Sequence, residues 1–365
     1  PLGDAQNLSV RFQTNGTYYT SLSASFSEPW LFGKKPTSLN LSLYYTRQTN
    51  SYLAFNILNN DEYMEVYGFA AGIGKRLKWP DNYFVLYNQL SWQTYKLQNW
   101  AYQFMFRTGI SHNLSYTLSL SRNSTDQQIY PRTGSDFSVS LQLTPPYSLL
   151  RKKDYGLLDE DGNPTKVDSW KKIDYNYQSS QDRYKWIEYH KWKMKFRSFT
   201  ALNSKLKCPV LMTRFEFGIL GSHNRNVKSP FETYYVGGDG MSGYSTGYAT
   251  ETIGLRGYDN GSLGGADGKN AYAYSRMTLE LRYPLMLEAS TSLFALAFVE
   301  GGNAWADVNK FNPFDMKRSA GVGVRILLPM VGLMGIDWAY GFQKYGSNGM
   351  KMGGSQFHFI IGQEF

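Results

Sequence analysis

The sequence predicts an all-β chain, a transmembrane antiparallel β-barrel with about fourteen strands, and three observations lead there. Apolar and polar residues alternate with a period of two along many segments, which puts one chemistry on each face of a strand and does not fit a helix. The composition is aromatic and polar at once, with 16% Phe, Trp and Tyr, only 18% charged residues, 35 glycines and a negative mean hydropathy. No run reaches the roughly 18 to 20 consecutive apolar residues that a membrane helix requires. A span must then be made by strands, where every second side chain meets lipid and its neighbours meet a wet interior.

The first three strands are expected at 7–14, 17–29 and 37–49. In the third, Leu39, Leu41, Leu43 and Tyr45 interleave with Asn40, Ser42, Tyr44 and Thr46, and Asn15-Gly16 signals a two-residue hairpin between the first two. Strands at 65–77, 83–95, 113–123 and 135–144 follow. Leu114, Tyr116, Leu118 and Leu120 alternate with serines and a threonine, and Phe137, Val139, Leu141 and Leu143 do the same, whereas 83–95 fits neither frame cleanly. In the strand at 190–203, Trp192, Met194 and Phe196 alternate with Lys191, Lys193, Lys195 and Arg197. Four cations on one face do not fit a dry core, and a wet lumen accommodates them. The remaining strands are expected at 209–221, 270–284, 291–303, 318–329, 333–343 and 355–365. The strand at 291–303 sets Phe294, Leu296 and Phe298 on the lumenal face, so something apolar is expected to pack there. A soluble sandwich also alternates, but its apolar faces meet each other; so many aromatic-rich strands favour the barrel.

Connections alternate between short turns, such as 33–36, 79–82 and 329–332, and long loops at 145–189 and 222–269, with smaller ones near 50–64, 96–112, 304–317 and 344–354. That asymmetry belongs to outer-membrane barrels, with short turns facing the periplasm. The most distinctive connection is 234–264. Glycine recurs there and just beyond at 237, 238, 240, 243, 247, 254, 257, 261, 264 and 265, around Leu255, Arg256, Gly257 and Tyr258, which suits tight backbone packed inside something. At the end of the chain Phe357, Phe359, Ile361 and Phe365 share one face, while Gln356, His358, Gly362 and Glu364 share the other.

Nothing in the chain reads as an enzyme, a metal site or a cofactor site. His112, His190, His223 and His358 lack ligand-like spacing, the single Cys208 has no internal partner, and no histidine stands beside a nucleophile motif. The acidic stretch 159–164 lacks the rest of a calcium loop and reads as a solvated turn. A net charge of +9 comes without a basic aromatic module, so nucleic acid is not an expected partner. Arg151, Lys152, Lys153, Lys171 and Lys172 in loop 145–189 are either ordinary solvated charge or a surface for lipopolysaccharide or a surface-exposed protein.

Leu255-Arg256-Gly257-Tyr258 resembles the V-R-G-F/Y motif of the BamA/TamA outer-membrane assembly superfamily, which also includes two-partner secretion translocators. Tyr234-Tyr235-Val236-Gly237-Gly238 is similar to its aromatic and double-glycine lead-in. Thr278-Leu279-Glu280-Leu281-Arg282-Tyr283-Pro284, Phe298-Val299-Glu300-Gly301-Gly302-Asn303-Ala304-Trp305 and Ser319-Ala320-Gly321-Val322-Gly323 bring the blocks to five, in the family's order, and the final strand completes the pattern. The resemblance implies a barrel of 16 strands whose sixth extracellular loop folds into the lumen, with Glu280 and Glu300 holding Arg256. Glu300 stands where the family pattern has aspartate. It also implies that Asn7 to Thr14 is the family's third strand, that two strands and the periplasmic POTRA domains are absent from residues 1–365, and that the sequence is part of a longer chain. The implied function is core insertase of the barrel-assembly machinery, templating strands at a lateral seam that includes the last strand, Phe357 to Phe365. Implied partners are nascent outer-membrane barrel proteins, accessory lipoproteins of the Bam complex, outer-membrane lipid and lipopolysaccharide. A TamA-like or two-partner secretion pore is the alternative, and a passive porin or adhesin the third reading.

Overall fold

The computed structural model describes residues 5–16, 18–33, 37–52, 57–100, 107–150, 184–205, 207–224, 228–229, 231–240, 251–264, 271–288, 291–328, 332–346 and 349–361. Among them strand dominates. β1 (Asn7–Asn15), β2 (Tyr19–Glu28), β3 (Thr37–Tyr52), β4 (Ile57–Arg76), β5 (Phe84–Gln98), β6 (Gly109–Asn123) and β7 (Thr133–Leu143) come first. β8 (His190–Ala201), β9 (Val210–Gly221), two short loop strands β10 (Tyr234–Val236) and β11 (Glu251–Ile253), β12 (Ala273–Leu287), β13 (Ser292–Trp305), β14 (Lys317–Leu328), β15 (Gly332–Gly341) and β16 (Ser355–Ile361) follow. Leaving out β10 and β11, they form a 14-stranded antiparallel sheet in sequence order. β1 pairs with β2 and β16 with β15, and each has one edge without a strand partner among the described residues.

The chain divides into two compact units, one built from 1–120, 140–191 and 221–231, the other from 121–139, 192–220 and 232–365. In the second unit the sheet is turned inside out relative to a soluble protein. Along β12 the outward side chains Met277, Leu279, Leu281 and Tyr283 are 37%, 50%, 43% and 52% exposed, while Arg276, Thr278, Glu280 and Arg282 between them are buried. β16 repeats the pattern with Phe357, Phe359 and Ile361 exposed and His358 buried. A leucine facing out beside an arginine facing in makes sense only where the outer solvent is lipid.

The buried face of this unit also carries an apolar floor. Phe294, Leu296 and Phe298 of β13 pack with Phe199, Val210, Met212, Ala339 and Tyr130. Tyr130 comes from the turn between β6 and β7; its ring meets Phe294 edge-on at 5.2 Å, and its hydroxyl donates to the carbonyl oxygens of Cys208 and Arg282, both at 3.2 Å. Burial pushes its pKa up to about 12.

In the first unit β3, β4 and β5 are the longest ladder. Their outward row includes Leu41, Leu43, Tyr67, Phe69, Ile73 and Leu90, all exposed. On the opposite face Met64, Val66, Tyr95 and Leu97 are buried, and Tyr95 stacks on Phe231 at 4.4 Å.

Several expectations need correction. Asn15 pairs with Tyr19, so three residues, 16–18, separate the first two strands in place of the expected two-residue turn, with Gly16 at φ +59°. The loop expected near 50–64 is mostly strand, because the β3–β4 ladder continues to Tyr52 and Ile57 across a register shift after Thr49. The cation row of β8 is not simply solvated: Lys191 is buried, Lys193 pairs with Glu251 at 2.6 Å, and Arg197 pairs with Asp136 at 2.6 Å. Residues 151–183, with Arg151, Lys152, Lys153, Lys171 and Lys172, and the chain-terminal Phe365 lie outside the described residues, as do most of the expected turns 33–36 and 329–332.

Candidate functional site

The site is built where the glycine-rich loop meets the buried face of β12 to β16. β10 and β11 pair in parallel, Tyr234 to Glu251 and Val236 to Ile253, and set the root of the loop. Gly238 bridges to Leu255, and Tyr258 to Gly353 beside β16. The four residues Leu255 to Tyr258 are held at both ends, and Leu255, Arg256 and Tyr258 are all at most 1% exposed.

Arg256 is enclosed by acids from three strands. Its Nη2 donates to Glu280 Oε2 at 3.0 Å and to Glu300 Oε1 at 2.7 Å, and its Nη1 donates to Asp337 Oδ2 at 3.0 Å. Its backbone N–H donates to Glu300 Oε2 at 3.0 Å, so one carboxylate holds both the side chain and the main chain of the loop. The guanidinium carbon lies 3.4 Å from the centre of the Phe298 ring, a stacked arrangement that arginine allows and lysine does not reproduce. Burial works against the arginine's charge, but Glu300, Glu280 and Asp337 outweigh it and hold its pKa above the already high guanidinium range.

The acids are themselves held. Arg325 grips Asp337 with Nη1 at 2.6 Å and Nη2 at 2.8 Å. Arg276 Nη2 and Thr278 Oγ1 donate to Glu300 Oε1 at 2.8 Å and 3.0 Å, and Arg282 Nε donates to Glu280 Oε1 at 2.8 Å. Charges this deeply buried are tolerated only when paired and hydrogen-bonded, and here cations and anions alternate through the cluster. The residues after Arg256 lock the neighbouring strands. Gly257 donates its N–H to His358 Nε2 on β16 at 2.8 Å. It has φ +86°, and a Cβ there would sit 2.7 Å from the Gly341 nitrogen. Tyr258 donates its hydroxyl to the Arg318 carbonyl and reaches Gln343 Oε1, both at 2.6 Å, and burial pushes its pKa up to about 12.

The structure thus brings together Leu255, Arg256, Gly257, Tyr258, Glu280 and Glu300, with the interior face of the strand that carries Phe357, Phe359 and Ile361. Sequence reasoning missed Asp337 and Arg325 altogether and gave no role to Arg276 and Arg282. Asp337 sits between outward Ile336 and Trp338, the same inward frame as His358, and that parity was the available signal. Among the described residues no cluster of His, Cys, Asp and Glu is placed to hold a metal ion.

A sheet that is oily outside and ionic inside, with an arginine loop packed against its inner wall, defines a membrane-spanning β-barrel. The chain belongs to the Omp85 superfamily, whose domain matches residues 1–365, and that membership implies an outer-membrane location. Among solved structures it is similar to BamA from Haemophilus ducreyi lacking POTRA domains 1–3, with 20% identity, 98% of this chain and 64% of that chain covered, and a TM-score of 0.64. It is also similar to CdiB from Escherichia coli, with 11% identity, 98% and 56% coverage, and a TM-score of 0.55. At these identities the likeness concerns the fold, and the chain spans 64% of the length of the BamA structure. No curated protein matches it.

Proposed function

We propose that this barrel is the membrane core of a protein-assembly machine that folds and inserts outer-membrane barrel proteins by templating their strands on the edge of its last strand. The observation that supports this best is the docked loop. Through Gly257 and His358 it braces β16 from inside, so the outer edge of that strand is a stiff row of backbone donors and acceptors. Such an edge adds an incoming strand without losing its own register, the physical basis of β-augmentation. No nucleotide or bond-making chemistry is required, because each hydrogen bond formed across the edge replaces exposure of a bare strand edge to lipid.

Nascent barrel proteins would be the substrates, and accessory lipoproteins and outer-membrane lipid the partners. Depletion of the protein in cells tests this reading: unrelated outer-membrane barrels should lose their folded, heat-modifiable form. If they mature normally while export of one dedicated partner protein stops, the likeness to CdiB points to the correct reading, a translocation pore.

A further inference from the structure

On the outward face of the first unit, the apolar band of β2 to β5 is interrupted by a hollow of about 620 Å³. It opens beside the small Ala24, and Leu43, Tyr45, Tyr67, Phe69 and Trp92 form its sides. Its size lies within the range of small-ligand sites, about 300–1,000 Å³. Register puts these side chains in consecutive outward rows: Ala24, Leu43, Phe69 and Trp92 are ladder neighbours, and Tyr45 and Tyr67 form the next row toward the long-loop end. Trp92 is backed by Trp186 at 6.1 Å and donates its Nε1 proton to Thr94.

The row after that is charged. Arg47, Glu65 and Lys96 are cross-strand neighbours, about 6–7 Å beyond the tyrosines for a two-residue step. Arg47 Nη1 lies 3.7 Å and Lys96 Nζ 3.3 Å from Glu65, and the Tyr45 hydroxyl donates to the same carboxylate at 3.2 Å. Both cations lean on the Tyr63 ring, at 4.6 Å and 5.5 Å, and each side chain remains 41% exposed while Glu65 is 14% exposed. Two cations share one acid, which leaves net positive charge at the head of an apolar slot.

The geometry points to a binding site for a phosphorylated acyl glycolipid of the outer leaflet, one acyl chain in the hollow at Ala24 and two phosphate groups at Arg47 and Lys96. Arg47 and Lys96 stand on the strands either side of the one that carries Glu65, whose backbones lie two ladder steps or about 10 Å apart, so two long side chains rooted at separate points can each meet its own phosphate. Glu65 repels a phosphate but accepts hydrogen bonds from sugar hydroxyls, so the central position suits a sugar. Arginine takes phosphate bidentately and lysine as a point charge.

The test uses the full chain purified from the outer membrane and native mass spectrometry of lipids kept on the folded, heat-modifiable protein. Lipid A, its monophosphoryl form and phosphatidylethanolamine are the probes. The wild type is expected to keep lipid A in preference to both others. Arg47→Gln with Lys96→Gln, at partly exposed positions, should weaken lipid A retention about tenfold or more, the scale for two cations at an anionic lipid. Ala24→Trp should reduce retention of lipid A by filling the hollow. Equal retention of the monophosphoryl form, preference for phosphatidylethanolamine, or unchanged lipid A on the double variant would each overturn the proposal; the double variant decides alone if Ala24→Trp does not fold.

Discussion

At the scale of the residue, Arg256 is the centre of the structure. Removing one member of a buried, hydrogen-bonded charge cluster costs about 3–5 kcal/mol, because the partners left behind stay buried and uncompensated. Arg256→Ala is therefore expected to lower the temperature at which the folded band is lost and to make the segment 251–264 sensitive to protease. Arg256→Lys should recover little of this, since an ammonium cannot reach Glu280, Glu300 and Asp337 together while stacking on Phe298. Gly257→Ala should open the loop even with every charge intact, because its Cβ would strike Gly341 backbone at a positive φ; a loop as protease-resistant as wild type in that variant would contradict the packing. The pairing of Arg256 with Glu280 and Glu300 was expected from the blocks that resemble the superfamily's motif, with both acids on adjacent expected strands. Asp337 was not, since its nearness depends on the registers of β13 to β15, which turns and packing set.

At the scale of the element, the faces of β12 separate a membrane strand from a soluble one. Leu281→Arg would be nearly neutral on a water-exposed surface, whereas a lipid-facing site near the bilayer centre loses about 2–4 kcal/mol. The expected result is a lower denaturant midpoint in liposomes, and a neutral result would contradict a lipid-facing β12. β13 supplies a second case. Phe294→Ala should cost about 3–5 kcal/mol, since its ring packs in the floor against Tyr130. The period-two pattern made nearly every strand of the sheet readable to within a few residues, and the inward Phe294, Leu296 and Phe298 announced an apolar neighbour. Tyr130 itself was hidden because it arrives from a turn, where no periodicity exists. The parallel β10–β11 pair was hidden for another reason: three-residue strands between glycines leave no alternation to detect.

At the scale of the whole molecule, chain orientation is open to a simple measurement. The single native cysteine, Cys208, is 1% exposed, so introduced thiols report without background. With a membrane-impermeant maleimide on intact cells, Met350→Cys in the loop between β15 and β16 should be labelled. Asn82→Cys in the short turn between β4 and β5 should react only after the outer membrane is permeabilised; the reverse order would invert the assignment of short turns to the periplasm. The antiparallel all-β class and its count of about fourteen strands were legible from composition and alternation, whereas which surfaces hold partners was not, since solvated charge and binding charge look alike in one sequence. The grip on the loop has a consequence for biogenesis. Arg256 and Gly257 reach Glu280, Glu300, Asp337 and His358 together only when β12 to β16 stand in order, so capture of the loop works as a logical conjunction. A molecule in which β16 has not yet joined β15 leaves the latch unset, and the arrival of that strand is registered at one point deep within the sheet's buried face.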